Sequence, residues 1–170
     1  LLLVAGAAAL VIGRQRRQIR VLEAEARADL LTGLPNRRGL AAHWAALSRP
    51  SALILIDLVG FKAVNDSHGH IVGDALLAQV GARLAAAVAP PGFLARWGGD
   101  EFVAVVPRAG RDAQLRAIAA LDGAPYDLSA QGGPAGVMVG TRIGVSGGEE
   151  ELGAALSAAA RNLLEARAVA

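Results

Sequence analysis

The most constraining feature of the chain is a Gly98-Gly99-Asp100 break between two short apolar runs, Phe93–Trp97 and Glu101–Val106. A Gly-Gly pair tolerates the positive φ that a tight reversal needs, so the pattern predicts two antiparallel strands joined by a hairpin. A third run, Ala52-Leu-Ile-Leu-Ile56, is apolar without alternation and ends at Asp57. Its length and β-branching predict a buried strand.

Helical patterns separate these runs. Asn36 is placed to cap a helix to about Leu47, after a break at Asp29–Asn36 punctuated by Gly33 and Pro35. Leu76, Val80, Leu84 and Val88 recur every four residues behind Gly69–Gly73, and Pro90-Pro91-Gly92 ends that helix. Ala113–Leu121 predicts another helix, Tyr126–Ala130 and Val137–Val145 a second antiparallel pair across Gln131–Pro134, and Leu152–Arg167 an Ala-rich closing helix. The order βαββαβ, with one extra strand and flanking helices, predicts an α+β fold. It is a ferredoxin-like palm in which helices cover one face of an antiparallel central sheet.

The 170 residues carry a formal charge of +2 and no Cys. Missing Cys excludes disulfide frameworks, thiolate zinc sites and Cys nucleophiles. The positive charge is local. Residues 1–28 hold five Arg against two Glu, a surplus of +3, leaving −1 for residues 29–170. With 4% aromatic residues the body has neither the basic surface nor the stacking platforms of a nucleic-acid binder, so no nucleic-acid partner is expected.

Leu1–Gly13 is uninterrupted apolar and small, and the Arg cluster follows it directly. A spanning helix needs roughly 20 such residues. The run therefore reads as the end of a transmembrane helix whose cytoplasmic side is marked by Arg. A signal-peptide remnant or a buried helix is the alternative. Residues 14–28 read as a polar linker helix with a thin seam at Ile19, Leu22 and Ala26, either a dimer contact or a solvated connector. Residues 29–170 form the remaining domain.

Asp57 lies at the end of a buried run, where a carboxylate is costly unless paired or bound to a cation; a loop-closing role is the alternative. Asp100-Glu101 sits on the hairpin. If the two strands are neighbours, Asp57 and Asp100 converge at one edge of the sheet. Carboxylates without Cys or paired His suit a hard, oxygen-loving ion, Mg²⁺ first, which keeps waters and substrate phosphates as its other ligands. Lys62, the sole lysine, offers a point charge beside such phosphates. Asn65 and Asp74 together could read a guanine edge, although each alone reads more simply as a loop residue or a first-turn cap. His68 and His70 flank Gly69 and read as a turn. Serine-hydrolase GxSxG and Walker-type GxxxxGK[ST] motifs are missing.

Three blocks in order resemble one family. Arg96-Trp-Gly-Gly-Asp-Glu-Phe102 contains the letters that name the GGDEF domain of diguanylate cyclases. Asp29-Leu-Leu-Thr-Gly-Leu-Pro-Asn-Arg-Arg38 resembles the family's entry block. Asp57-Leu-Val-Gly-Phe-Lys-Ala-Val-Asn-Asp66, with Gly69-His70 and Gly73-Asp74, resembles its nucleotide-binding segment, and Thr141–Val145 its late strand. The resemblance implies one GTP per protomer with Mg²⁺ (or Mn²⁺), and a homodimer that joins two GTP into cyclic di-GMP and pyrophosphate. It implies metal at Asp57, the Leu58 carbonyl and Asp100. Asp100 would also be a candidate base, assisted by Glu101. Guanine reading would fall to Asn65 and Asp74, phosphate contacts to Phe61, Lys62 and Arg167, and close nucleotide approach to Gly98 and Gly99.

The resemblance further implies a domain on the cytoplasmic side of a bacterial inner membrane, held by the N-terminal helix and open to an appended signalling domain. Departures accompany it. The usual product-inhibition R-x-x-D reads Ala89-Pro-Pro-Gly92, Val59 stands where a second Asp is usual, and the closing helix reads Ala159-Ala-Arg-Asn-Leu-Leu-Glu-Ala-Arg167. They motivate a second reading: a degenerate GTP-binding module that regulates an appended domain such as a cyclic di-GMP phosphodiesterase.

Overall fold

The computed structural model describes residues 14, 15, 17, 18, 26–48 and 51–168, with side chains as far as 163. The apolar run 1–13 and most of the linker helix lie outside the described residues. Arg14, Gln15, Arg17 and Gln18 are helical and exposed. No helix among the described residues is long and apolar enough to cross a membrane.

The elements are α1 (Arg37–Ala45), β1 (Ser51–Val59), α2 (Phe61–His68), α3 (His70–Ala87), β2 (Phe93–Gly98), β3 (Glu101–Pro107), α4 (Arg111–Ala119), β4 (Pro125–Tyr126), β5 (Val137–Met138), β6 (Gly140–Val145) and α5 (Leu152–Ala168). The main sheet has the order β2-β3-β1-β6, and every neighbouring pair is antiparallel. This is the expected α+β palm.

β1 explains why helices cover both faces and not the single face expected. Its alternate residues Ala52, Ile54, Ile56 and Leu58 join one core with Leu76, Val80 and Leu84 of α3 and Ile118 of α4. Leu53 and Leu55 join a second core with Leu40 of α1 and Ala155, Ala159 and Leu163 of α5. A strand apolar at every position needs two covers. The crossover helices supply one and the flanking helices the other. Each fully buried Leu or Ile contributes about 1.5–3 kcal/mol of transfer free energy. Gly144 lets α5 lie directly on the sheet: a Cβ there would stand 2.0 Å from the Ala159 carbonyl oxygen.

Two further sequence expectations need correction. Val137–Val145 is not one strand. Val137–Met138 pairs with Pro125–Tyr126 in a separate two-stranded sheet, and Gly140–Val145 pairs with β1. Val139 between them is buried in the first core. Asn65 does not lie in a loop: Phe61–His68 is a helix begun by Gly60 at φ 89°.

Loop 29–36 is folded on itself. Asp29 accepts hydrogen bonds from the Thr32 N–H (2.9 Å) and the Thr32 hydroxyl (2.7 Å). Asn36 caps α1 by accepting from the N–H groups of Arg38 and Gly39. The same loop lies against β2, where the Arg96 N–H donates to the Pro35 carbonyl at 2.8 Å.

Candidate active site

The sheet register builds one row of charged side chains. Asp57 on β1 stands directly opposite Glu101 on β3 and Arg142 on β6. All three therefore share the sheet face that continues from Leu53 and Leu55. The Leu58 N–H donates to the Asp100 carbonyl at 3.3 Å, which ties the hairpin turn to the end of β1. Asp57, Asp100 and Glu101 thus come to one end of the sheet, as the sequence suggests. The in-register partner of Asp57 is Glu101, while Asp100 sits in the turn.

The turn itself is shorter than the Gly-Gly-Asp spacing suggests. Gly98 pairs with Glu101, so Gly99-Asp100 is a two-residue reversal with Gly99 at φ 54°. The register shifts between Arg96 and Gly98, leaving Trp97 as the extra residue of a bulge. Bulges re-aim side chains next to functional sites. Arg37 fixes this bulge: its guanidinium lies 4.6 Å from the Trp97 ring centre, and its Nε–H donates to the Trp97 carbonyl.

Glu101 shows the electrostatic character of the place. Partial burial raises its pKa above the ordinary carboxylate value; the charges of Asp57 and Asp100 raise it further, and Arg37 opposes them. The negative potential that Asp57 and Asp100 place on Glu101 suits a bound cation. Oxygen donors alone make that cation a hard one. Among the described residues no three His, Asp or Glu side chains gather closely enough to form a metal cage unaided. A cation here would take its remaining ligands from waters or substrate oxygens.

The proposed base-reading pair sits across the α2–α3 junction. Asn65 lies on α2, not in a loop, and Asp74 lies exposed in the second turn of α3, past the cap position. The Asn65 carboxamide oxygen is buried with no hydrogen-bond partner among the described residues. It rests against Gly73, where a Cβ would come within 1.8 Å of it. A buried amide oxygen without a donor is costly, and a ligand N–H is one remedy. Phe61 is half-buried against the first core. Lys62 is exposed and held in a surface pair with Asp66 at 3.1 Å. Arg167 lies on α5 beyond the described side chains.

Two features escaped the sequence reading. Arg142 pairs with Asp57, its Nη2 lying 2.5 Å from Oδ2. The only signal was parity: an Arg flanked by Thr141 and Ile143 on a strand whose register was unknown. Arg96 spans Asp29 and the hairpin turn, with both Asp29 oxygens at 3.1 Å and the Gly99 carbonyl at 2.7 Å from Nη2.

Comparison with known proteins gives a family and a fold. The family profile described as "Diguanylate cyclase, GGDEF domain" matches residues 26–169. An uncharacterised signalling protein of Caulobacter vibrioides is 50% identical over 91 residues, covering 49% of this chain and 11% of that protein. Diguanylate cyclase DgcM of Escherichia coli is 37% identical over 112 residues, covering 61% of this chain and 27% of that one. The chain therefore spans only a small part of the length of these relatives.

Among solved structures, a sensory box/GGDEF family protein from Caulobacter crescentus superposes with a TM-score of 0.71 at 34% identity, covering 85% of this chain and 99% of that one. The coiled coil and GGDEF domain of Caulobacter crescentus DgcB, in complex with c-di-GMP, gives a TM-score of 0.77 over 96% of this chain and 92% of that one. At 22% identity it speaks for the fold. A hairpin carrying Gly-Gly-Asp-Glu, opposed by an Asp at the end of the central strand and matched along nearly the whole domain, places the chain in the GGDEF-domain family of diguanylate cyclases.

Proposed function

We propose that this chain is the catalytic domain of a diguanylate cyclase, joining two GTP into cyclic di-GMP across a homodimer. The observation that carries the reading is the convergence of Asp57, Asp100 and Glu101 at one sheet end, together with the unpartnered Asn65 oxygen against Gly73, the residue before Asp74. Asn65 and Asp74 accept from the guanine N1–H and N2–H₂ donors. Gly98 and Gly99 let the nucleotide approach the backbone, and Phe61 and Lys62 lie at its phosphates. Lys62 leaves its exposed pair with Asp66 at little cost, since such pairs contribute about 0–1 kcal/mol.

Asp57, the Leu58 carbonyl and Asp100 hold the metal, Mg²⁺ or Mn²⁺. When bound, the ion neutralises charge gathering on the phosphates. Asp100 takes the proton of the 3′-hydroxyl, with Glu101 beside it. That oxygen forms a bond to the α-phosphorus of the second GTP while the α–β bridging bond breaks and pyrophosphate leaves. The same exchange in the other direction closes the ring. Each protomer supplies one nucleotide, so positioning by the dimer carries much of the rate. We place the domain on the cytoplasmic side of a bacterial inner membrane, with the apolar run 1–13 as its anchor and residues 14–28 as the connector.

Incubating the protein with GTP and Mg²⁺ and looking for cyclic di-GMP tests the reading. Product in the wild type and none from Asp100→Ala supports it; unchanged turnover in Asp100→Ala refutes the metal and base assignment. The ion pair between Arg142 and Asp57 and the Val59 position favour a second reading, a GTP-binding regulatory module without turnover. Clear GTP binding with no product would select it.

A further inference from the structure

Arg142 stands where a positive charge competes directly with a metal. Its partner Asp57 occupies the centre of the charged row, between Glu101 on one strand and Arg142 on the other. The pair is partly withdrawn from solvent: the Asp57 side chain is 16% exposed and that of Arg142 32%. A desolvated pair is screened less than a surface pair, so the guanidinium is a substantial counter-charge. The Arg142 Nε–H is buried with no acceptor among the described residues. Arg142 therefore leaves a donor unused while it holds Asp57, and that cost weakens the hold relative to a fully satisfied pair.

We propose that Arg142 is a positioning residue that sets the metal affinity of the site, a built-in cation that a divalent ion must displace from Asp57. The proposal rests on the assignment of Asp57 as a metal ligand. A divalent ion brought to the carboxylate oxygen that already faces a guanidinium is repelled by it. A metal that takes Oδ2 therefore displaces the guanidinium from it. Until then Asp57 is countered by the chain's own guanidinium, and the domain's demand for metal is set high. Arg37 is the arginine whose charge acts on Glu101, while Arg142 holds Asp57, so the two arginines divide the row between them.

The test is Mn²⁺ binding, read from the electron paramagnetic resonance of free Mn²⁺ without any turnover. Arg142→Gln removes the charge and keeps much of the length. It should tighten Mn²⁺ binding about ten-fold, equivalent to about 1.4 kcal/mol. Arg142→Lys keeps the charge and should stay near the wild-type value. Equal or weaker binding in Arg142→Gln, with binding abolished by Asp57→Asn, would overturn the latch and leave the metal assignment standing. Binding unaffected by Asp57→Asn would instead overturn the metal assignment on which the latch depends. Should Arg142→Gln fold poorly, the wild type still decides. With ¹⁵N-labelled arginine, the Arg142 Nε–H resonance should move as Mg²⁺ is added, and a stationary resonance refutes displacement.

Discussion

Arg96 grips Asp29 through Nη1, with both carboxylate oxygens at 3.1 Å, while Nε and Nη2 of the same guanidinium hold the Gly99 carbonyl. One planar group thus joins the loop before α1 to the turn that carries Asp100. Burial works to raise the Asp29 pKa, but hydrogen bonds from Thr32 and Arg96 outweigh it and leave the carboxyl below its ordinary value. A carboxylate with a depressed pKa stabilises the fold above its unfolded pKa and loses that contribution as pH falls through its folded one. Asp29→Asn should therefore cost about 1–3 kcal/mol at neutral pH and flatten the acid limb of stability below about pH 4. Denaturant unfolding across pH checks this. Arg96→Lys should not rescue, because an ammonium cannot span both partners.

Glu101 has the opposite sign. Its raised pKa means that the folded state holds a proton longer than the unfolded chain does. Its contribution is most favourable below the unfolded pKa and declines as pH rises through the folded one. Glu101→Gln should raise the metal-free Tm at pH 7 by about 2–4 °C, the shift expected for about 1 kcal/mol in a domain of this size. The gain should vanish at pH 4. A lower Tm at pH 7 would contradict the charge balance described for the row.

Gly73 separates binding from folding. A Cβ there meets the Asn65 side-chain oxygen at 1.8 Å, and Asn65 is the part able to move. Gly73→Ala should leave the circular dichroism spectrum intact and weaken GTP binding at least about ten-fold, the value of one to two hydrogen bonds at roughly 1 kcal/mol each. Calorimetric titration with GTP measures it. Unchanged affinity would remove Asn65 from the base-reading pair.

Gly144 is the counterpart in the core. Its hypothetical Cβ meets backbone, the Ala159 carbonyl oxygen at 2.0 Å, and the Leu163 Cβ at 2.9 Å. Neither can step aside without moving α5. Gly144→Ala should cost about 1–3 kcal/mol or more by overpacking, read as a lower midpoint in urea.

Much of this was legible from local chemistry. The hairpin followed from Gly98-Gly99, and the α1 cap from Asn36, because each depends on residues adjacent in sequence. The charged row did not. Asp57, Glu101 and Arg142 come from three strands, and their alignment depends on register, which a strand apolar at every position leaves open. β1 is such a strand, so nothing in its pattern told which face Asp57 would share. The division of Val137–Val145 into two strands was equally hidden, since continuous apolar character does not show where pairing changes partner. Asn65 was misplaced in a loop because Phe61–His68 begins at Gly60, without the side-chain cap that usually announces a helix.

The single bond from the Arg96 N–H to the Pro35 carbonyl has a bearing on solubility. β2 is the outermost strand of the main sheet, and such margins invite other chains to add on and polymerise. At Arg96 this margin is met by a residue that accepts but has no N–H to give back, so the contact itself does not grow into a strand pair. The proline acts as a selvedge stitch: at Arg96 it binds the sheet's border with the chain's own backbone.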